Sequence, residues 1–339
     1  MRSIMFDIAK LPDKDRAALF HNTAIKCKMK DAIVEKDFWV CWTMNYLFNY
    51  SPWRDHFVFK GGTSLSKGYG LIERFSEDID IILNWCLLGY SKDEPWQKRS
   101  NTQQDKINKE VDIRCADFLR EIIKPQLEQD FGRMLNQAFS LNIFDEDPQT
   151  IAFKYPQLFL DDSILRAIRL EIGALAAWTP SQNVTIRPYA AEQYPQVFKI
   201  QNTSVLTASP ERTFWEKITI LHKEAFRING NFPDRYSRHY YDLFCMDLSN
   251  IKAEAFNNLD LLDCVTTFKS RFYPTNAARY DLAKPGTIKL IPPDNCVSKL
   301  ERDYLLMQDI IYGKKPDFKE LMSSIWRLEN EINDLKRPG

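Results

Sequence analysis

Along this chain the apolar positions follow a helical rhythm, then an alternating one, then a helical one again. Residues 12 to 50 show three- and four-residue spacing. Asp31-Ala32-Ile33-Val34-Glu35-Lys36-Asp37-Phe38-Trp39-Val40 opens a stripe that continues through Trp42, Met44, Tyr46, Leu47 and Phe48. Aromatic residues at that spacing predict helices with one face in a core. Residues 54 to 84 shorten to strand length: His56 to Lys60 is a brief apolar run closed by Gly61-Gly62. In Glu77 to Leu83, Asp78 and Asp80 alternate with Ile79 and Ile81. Ser91 to Lys109 is polar and reads as a surface loop or insertion. From Val111 to Leu135 a helix is predicted on Cys115, Phe118, Leu119, Ile122 and Ile123, with Pro125 kinking or ending it. Strand patterns return at Phe139 to Phe144, Thr150 to Tyr155, Ile164 to Ala174 and Val184 to Tyr189, with a turn at 145–148. Beyond Ser209 the pattern is helical to the end. Ser209-Pro210-Glu211 supplies a cap, a first-turn proline and an early acid. The last helix, Asp317 to Leu335, carries Phe318, Leu321, Met322, Ile325, Leu328, Ile332 and Leu335 as its packing stripe.

These patterns predict an α+β fold: a mixed β-sheet core with flanking helices, followed by a helical C-terminal lobe. The expected division is residues 1–205 for the N-terminal helices and sheet core, and 206–339 for the helical lobe. A chain of 339 residues has ample core for either one large domain or two lobes.

Composition narrows the function classes. Acidic and basic residues balance at 46 each, so any nucleic-acid contact must come from a local patch and not a global field. The seven cysteines are odd in number and lack Cys-x-x-Cys spacing, which predicts thiols of a reducing compartment and argues against disulfides or structural zinc. No run approaches the roughly 20 apolar residues of a membrane helix, and the first twenty residues lack a signal-peptide core. A cytoplasmic protein without membrane partners is expected.

The chemistry concentrates in Phe59 to Leu83. Paired glycines allow a sharp turn and close approach of backbone to ligand. Thr63 and Ser64 follow as hydroxyls that cap a helix or bind phosphate, at a helix start whose free N–H groups attract anions. Residues i and i+2 share one strand face, so Asp78 and Asp80 project together. A lone Asp-x-Asp is ordinarily a solvated edge, but here the acids lie among Ile79, Ile81, Ile82 and Leu83. Carboxylates rarely enter an apolar strand without partners or metal. Two of them favour an intervening cation, and oxygen ligands suit Mg²⁺ or Mn²⁺ gripping nucleotide phosphates. Glycine turn, hydroxyls and paired acids together describe a nucleotidyl-transfer site.

Gly61-Gly62-Thr63-Ser64-Leu65-Ser66-Lys67, followed by Arg74-Phe75-Ser76-Glu77-Asp78-Ile79-Asp80, resembles the signature of the AbiEii/AbiGii toxin family. Those proteins are nucleotidyltransferase-like, related in fold to DNA polymerase β, and include the MenT-type toxins. Val34-Glu35-Lys36-Asp37-Phe38 also fits the family's opening helix. The resemblance, over roughly residues 31 to 245, implies a nucleotidyltransferase core. It implies metal at Asp78 and Asp80, and nucleotide bound by Gly61, Gly62, Thr63, Ser64, Lys67, Arg74 and Ser76.

A cation is still needed on the triphosphate. Lys217 lies at the edge of the apolar stripe of Phe214, Ile218, Leu221 and Ala225, where a lysine either snorkels to solvent or projects into a site. Arg238 and Asp242, four apart, could be only a surface pair. The resemblance resolves this choice by mapping the family's second block onto Lys217 and Asp242, both then in the active site. The chain departs from that block at Arg238-His239, where the family shows Arg-Asp. Glu171, alone in the apolar Arg169-Leu170-Glu171-Ile172, reads either as a third carboxylate of the site or as an edge-strand acid paired with Arg169 or Arg187. His222, Lys223, Arg227, Arg235 and Arg238 form a basic cluster suited to RNA phosphates or simply to solvent.

The expected function is a Mg²⁺-dependent (or Mn²⁺-dependent) nucleotidyltransferase using a nucleoside triphosphate, acting as the toxin of a toxin–antitoxin or phage-defence pair with an antitoxin encoded nearby. The MenT-type resemblance implies an RNA acceptor, the tRNA 3′ end. Transfer to a protein hydroxyl uses the same metal and triphosphate geometry, so sequence leaves it open. A non-catalytic nucleotide-binding module is the third class, and the intact Asp-x-Asp argues against it.

Overall fold

The computed structural model describes residues 5–76, 78–162, 164–175, 179–227 and 232–336. Glu77, the predicted start of the second motif strand, lies outside the described residues. The chain divides into two compact units. One comprises residues 1–68, 76–97 and 106–208, the other residues 69–75, 98–105 and 209–339.

The first unit is built on a seven-stranded mixed sheet. Its strands are β1 (Phe57–Lys60), β2 (Ile79–Leu83), β3 (Ser140–Phe144), β4 (Asp147–Lys154), β5 (Ile168–Gly173), β6 (Ser181–Ile186) and β7 (Thr203–Ala208). Their spatial order is β3-β4-β5-β2-β1-β7-β6. β2 runs parallel to β5 and β1 parallel to β7, while the other neighbours are antiparallel. Alternation sorts the central strands into two faces. Phe57, Phe59, Ile79, Ile81, Leu170, Ile172, Ile151 and Phe153 are buried on one. Helix Asp31–Asn49 supplies the aromatic stripe that meets them: Trp39 stands edge-on to Phe153 at 6.2 Å, and Trp42 stacks on the same ring at 6.1 Å. Each such side chain, when fully buried, contributes on the order of 1.5–3 kcal/mol, which fixes the register of the sheet and with it the polar residues of the opposite face.

Three local expectations need correction. β7 shows no strand pattern in the sequence, because its inward positions Thr203, Val205 and Thr207 include two threonines, which hide the apolar alternation. The polar stretch 91–109 is a loop only at its start. Helix Asn101–Phe118 begins inside it, and its buried positions there are Gln104 and Asn108, residues that carry no hydrophobic signal. Pro125 ends nothing. A π-helical turn, Leu119–Ile123, precedes it, and helix Lys124–Met134 carries the proline in its first turn, where the missing N–H and the ring are tolerated.

The second unit is helical, with Pro210–Ala225, Ser237–Asp247, Ile251–Phe256, Leu259–Phe272, Asp294–Met307 and Phe318–Asp334 as its main helices. Ser209 Oγ accepts from the Arg212 amide at 3.4 Å and Pro210 follows it, as predicted. Asp317 caps the last helix through the Glu320 amide at 2.7 Å. Leu321, Ile325, Leu328 and Ile332 of that helix are buried, and it packs against Ser237–Asp247. Backbone bonds from Phe75 to Ile310 and from Tyr312 to Glu73 bind segment 69–75 into this unit. Among the described residues no helix is long and apolar enough to cross a membrane. All seven cysteines are free thiols.

Candidate active site

The polar face of the sheet carries a row of charged residues in register. Lys60 on β1 is paired with Asp80 on β2, and Asp80 with Glu171 on β5. β5 is internal, between β4 and β2, so the edge-strand reading of Glu171 does not hold. Asp78 lies just before β2, half-buried like Asp80, with Ile79 buried between them. Gly61 explains how Asp80 fits. Its φ is +79°, and a Cβ there would lie 1.9 Å from Asp80 Oδ2 and 2.6 Å from Cγ. The carboxylate therefore rests on the glycine's bare Cα, a contact any side chain would abolish.

The hydroxyls after the glycines are committed to shaping the turn. Thr63 Oγ1 donates to the Asp78 carbonyl at 2.5 Å, tying the turn to the aspartate strand. Ser64 Oγ donates to the Gly61 carbonyl at 2.8 Å. Both residues are buried. The helical stretch they occupy is one short turn, Gly61–Thr63, continued as the π-helical Ser64–Gly68. Gly62 and Ser76 are partly exposed. Lys67 turns the other way. Its ammonium lies 2.7 Å from Asp37 Oδ1 and 3.6 Å above the Tyr189 ring. Burial works against that charge, but Asp37 outweighs it and raises the lysine above its ordinary value.

Arg169 stands among the acids. Its Nη2 is 2.6 Å from Asp147 Oδ2, and its Nε is 3.2 Å from Glu171 Oε1 and 3.9 Å from Asp78 Oδ1. Partial burial pulls its pKa down, while Glu171, Asp147 and Asp78 together push it up. Glu171 thus makes the Arg169 pair that its isolated position allowed and also lies in register beside Asp80.

The second unit holds a separate buried charge cluster. Asp242, from helix Ser237–Asp247, accepts a fork from Arg74: Nε to Oδ1 at 2.7 Å and Nη2 to Oδ2 at 2.9 Å. Lys217, from helix Pro210–Ala225, donates to the same Oδ2 at 2.6 Å. Asp242 is fully buried and Lys217 and Arg74 nearly so. Asp242 is therefore no surface partner of Arg238. Burial alone would raise its pKa, yet Arg74 and Lys217 hold it well below the usual carboxylate range. One carboxylate bonds to both cations but can neutralise the charge of only one. Burial pushes Lys217 down despite Asp242, and the Arg74 charge adds to that. His239 Nδ1 lies 3.5 Å from Lys217 Nζ. Burial, then the charges of Lys217 and Arg238, drives this imidazole far below its ordinary value, so it is neutral.

The predicted basic cluster is partly dismantled. His222 is buried, accepts from the Lys289 amide at Nδ1 and meets the Arg279 carbonyl at Nε2, each at 3.0 Å. Arg227 pairs with Glu224. Arg235 is exposed, with its backbone amide on Asp303 at 2.6 Å, and Arg238 is partly exposed. Sequence reasoning missed Asp37 and Asp147 as partners, and missed the Arg74–Asp242 pairing. The available signal was charge within apolar runs, as at Asp37 before Phe38-Trp39, since buried charges must pair.

The sequence model of the family described as nucleotidyl transferase AbiEii toxin, type IV toxin–antitoxin system, matches residues 44–324. Among solved structures, the chain is similar to MenT4, a nucleotidyltransferase toxin from Mycobacterium tuberculosis H37Rv. The two share 14% identity, with a TM-score of 0.42 over 94% of this chain and 99% of that one. No curated protein sequence matches the chain.

Proposed function

The chain belongs to the nucleotidyl transferase AbiEii toxin family of type IV toxin–antitoxin systems, and from that premise we propose that it moves a nucleotide from a nucleoside triphosphate to RNA, with Mg²⁺ or Mn²⁺ held by Asp78 and Asp80. The observation that carries this reading is Asp80 resting on Gly61, in register with Glu171. That contact gives the glycine and the acid a joint purpose that neither has as a surface feature.

The donor set fits a hard cation. No group of three or more His, Cys, Asp or Glu among the described residues is arranged to hold a metal by itself. Mg²⁺, however, is commonly held by one or two carboxylates together with waters and substrate phosphates, and Asp78 and Asp80 provide such a pair. Bound there, the ion would neutralise charge that develops on the phosphates during transfer. Glu171 would take the proton of the attacking hydroxyl. Thr63 and Ser64 would keep the turn in shape so that the Gly61-Gly62 backbone meets phosphate closely. Lys217 and Asp242, which the resemblance assigns to the active site, would act through the second unit's own cluster, with Asp242 orienting Lys217 and Arg74. The tRNA 3′ end is the acceptor that the MenT-type resemblance implies.

Expression in a bacterial host tests the reading. The wild type should arrest growth, and co-expression of an antitoxin encoded nearby should restore it. Asp80→Asn at equal protein level should leave growth normal, since removing one electrostatic element of such a site costs about 10²–10³ in rate. Equal arrest by the variant would overturn the assignment of Asp80.

A further inference from the structure

We propose that Arg169, which pairs with Glu171, is a resident counter-cation that competes with the divalent ion for Asp78, with Asp147 as the carboxylate that holds it when the ion binds. The proposal rests on the metal reading of Asp78 and Asp80 given above. Its basis is the asymmetry of the three contacts. The guanidinium lies 2.6 Å from Asp147 but 3.2 Å from Glu171 and 3.9 Å from Asp78. The tight contact is therefore with the acid farthest along the face from the Asp-x-Asp, and the loose contacts are with the acids of the row itself.

Chemistry supports such an exchange. Acids crowded on one face repel unless a cation sits among them, and a guanidinium with several donors can serve more than one carboxylate at once. Side-chain exposure of 37% for Arg169, 40% for Glu171 and 40% for Asp147 leaves the cluster open to water, so the arginine can move without leaving a dry charge behind. With Nη2 still on Asp147, rotation of the head releases Nε from Glu171 and Asp78 while one ion pair persists. Asp147 opens β4, and Arg169 lies near the start of β5, its antiparallel neighbour. Anchor and arginine thus belong to the same rigid sheet. Arg169 would in this way offset part of the row's negative charge and hold down metal binding until nucleotide adds its own phosphate ligands. Its role is positioning, not catalysis.

The test is Mn²⁺ binding to the full-length protein without nucleotide, followed by electron paramagnetic resonance or calorimetry. Removing the competing charge with Arg169→Gln should tighten Mn²⁺ by about three- to tenfold, as expected for one like charge lost a few ångströms from a divalent ion in a wet site. Arg169→Lys, which keeps the charge but loses the forked donors, should fall between the wild type and Arg169→Gln. Asp147→Asn should loosen Mn²⁺, because the arginine then has only the row to pair with. Loss of the Asp147 charge by itself also loosens a nearby cation, so the sign for Arg169→Gln decides: a merely structural clamp between β4 and β5 predicts no tightening. Unchanged or weaker binding in Arg169→Gln, or tighter binding in Asp147→Asn, overturns the proposal. If Arg169→Gln fails to fold, Arg169→Met is read in its place, with the same expected tightening. Asp80→Asn separates the two levels. Mn²⁺ binding that survives this substitution overturns the metal reading itself, whereas its loss alongside an unresponsive Arg169→Gln overturns the arginine's role alone.

Discussion

At the scale of single residues, Gly61 and Asp80 form a pair whose geometry makes a specific forecast. Gly61→Ala introduces strain at φ +79° and places a methyl 1.9 Å from Asp80 Oδ2, so the carboxylate must move. Gly70 has φ +63° with nothing within 4 Å of where a Cβ would stand, so Gly70→Ala brings the backbone strain alone. Each substitution should cost roughly 1–3 kcal/mol for the left-handed backbone, read by denaturant unfolding. Gly61→Ala should in addition lose nucleotide transfer, while Gly70→Ala should keep it. Comparable transfer by the two variants would mean that the position of Asp80 is immaterial. The acids and glycines of this pair were legible in sequence because they stand within one short span. The partners of Lys67 and Arg74 were not. Asp37 is thirty residues from Lys67, Asp242 is 168 from Arg74, and opposite charges carry no sign of which will meet.

At the scale of elements, buried charge joins segments that hydrophobic pattern alone would leave loosely specified. Asp242 ties helix Pro210–Ala225, through Lys217, and segment 69–75, through Arg74, to helix Ser237–Asp247. Asp242→Asn would leave two buried cations short of their counter-charge, a change that typically costs roughly 3–5 kcal/mol. The pH dependence follows from the depressed carboxyl. Its contribution is fully present above the unfolded value of about 3.9 and is lost as the pH falls through the lower folded value. The wild type should therefore lose stability on acidification below about pH 4, and Asp242→Asn should lose less over that interval. Parallel acid profiles for the two proteins would contradict the assignment. The helices themselves were readable from their caps and stripes, as at Ser209-Pro210 and Asp317. The elements that escaped, β7 and the start of helix Asn101–Phe118, bury threonines, Gln104 and Asn108 where the pattern asks for apolar residues. Tertiary context outweighed local signal there.

At the scale of the whole molecule, the mixed sheet and helical second unit were foreshadowed by the change of rhythm near Ser209, and the family by one motif. The sheet order was not, since strand neighbours such as β2 and β5 lie far apart in sequence and their pairing is set by packing. The zero net charge gives no general attraction for RNA, so an acceptor must be recognised locally. A metal-dependent transfer carried by the acid row is directly measurable. Purified protein is incubated with labelled nucleoside triphosphates, Mg²⁺ and total cellular RNA, with wild type and Asp80→Asn compared and a chelated control included. Label should appear on RNA with the wild type, and none after chelation or with Asp80→Asn. Label appearing on protein alone, or on RNA at the wild-type rate with Asp80→Asn, would contradict it.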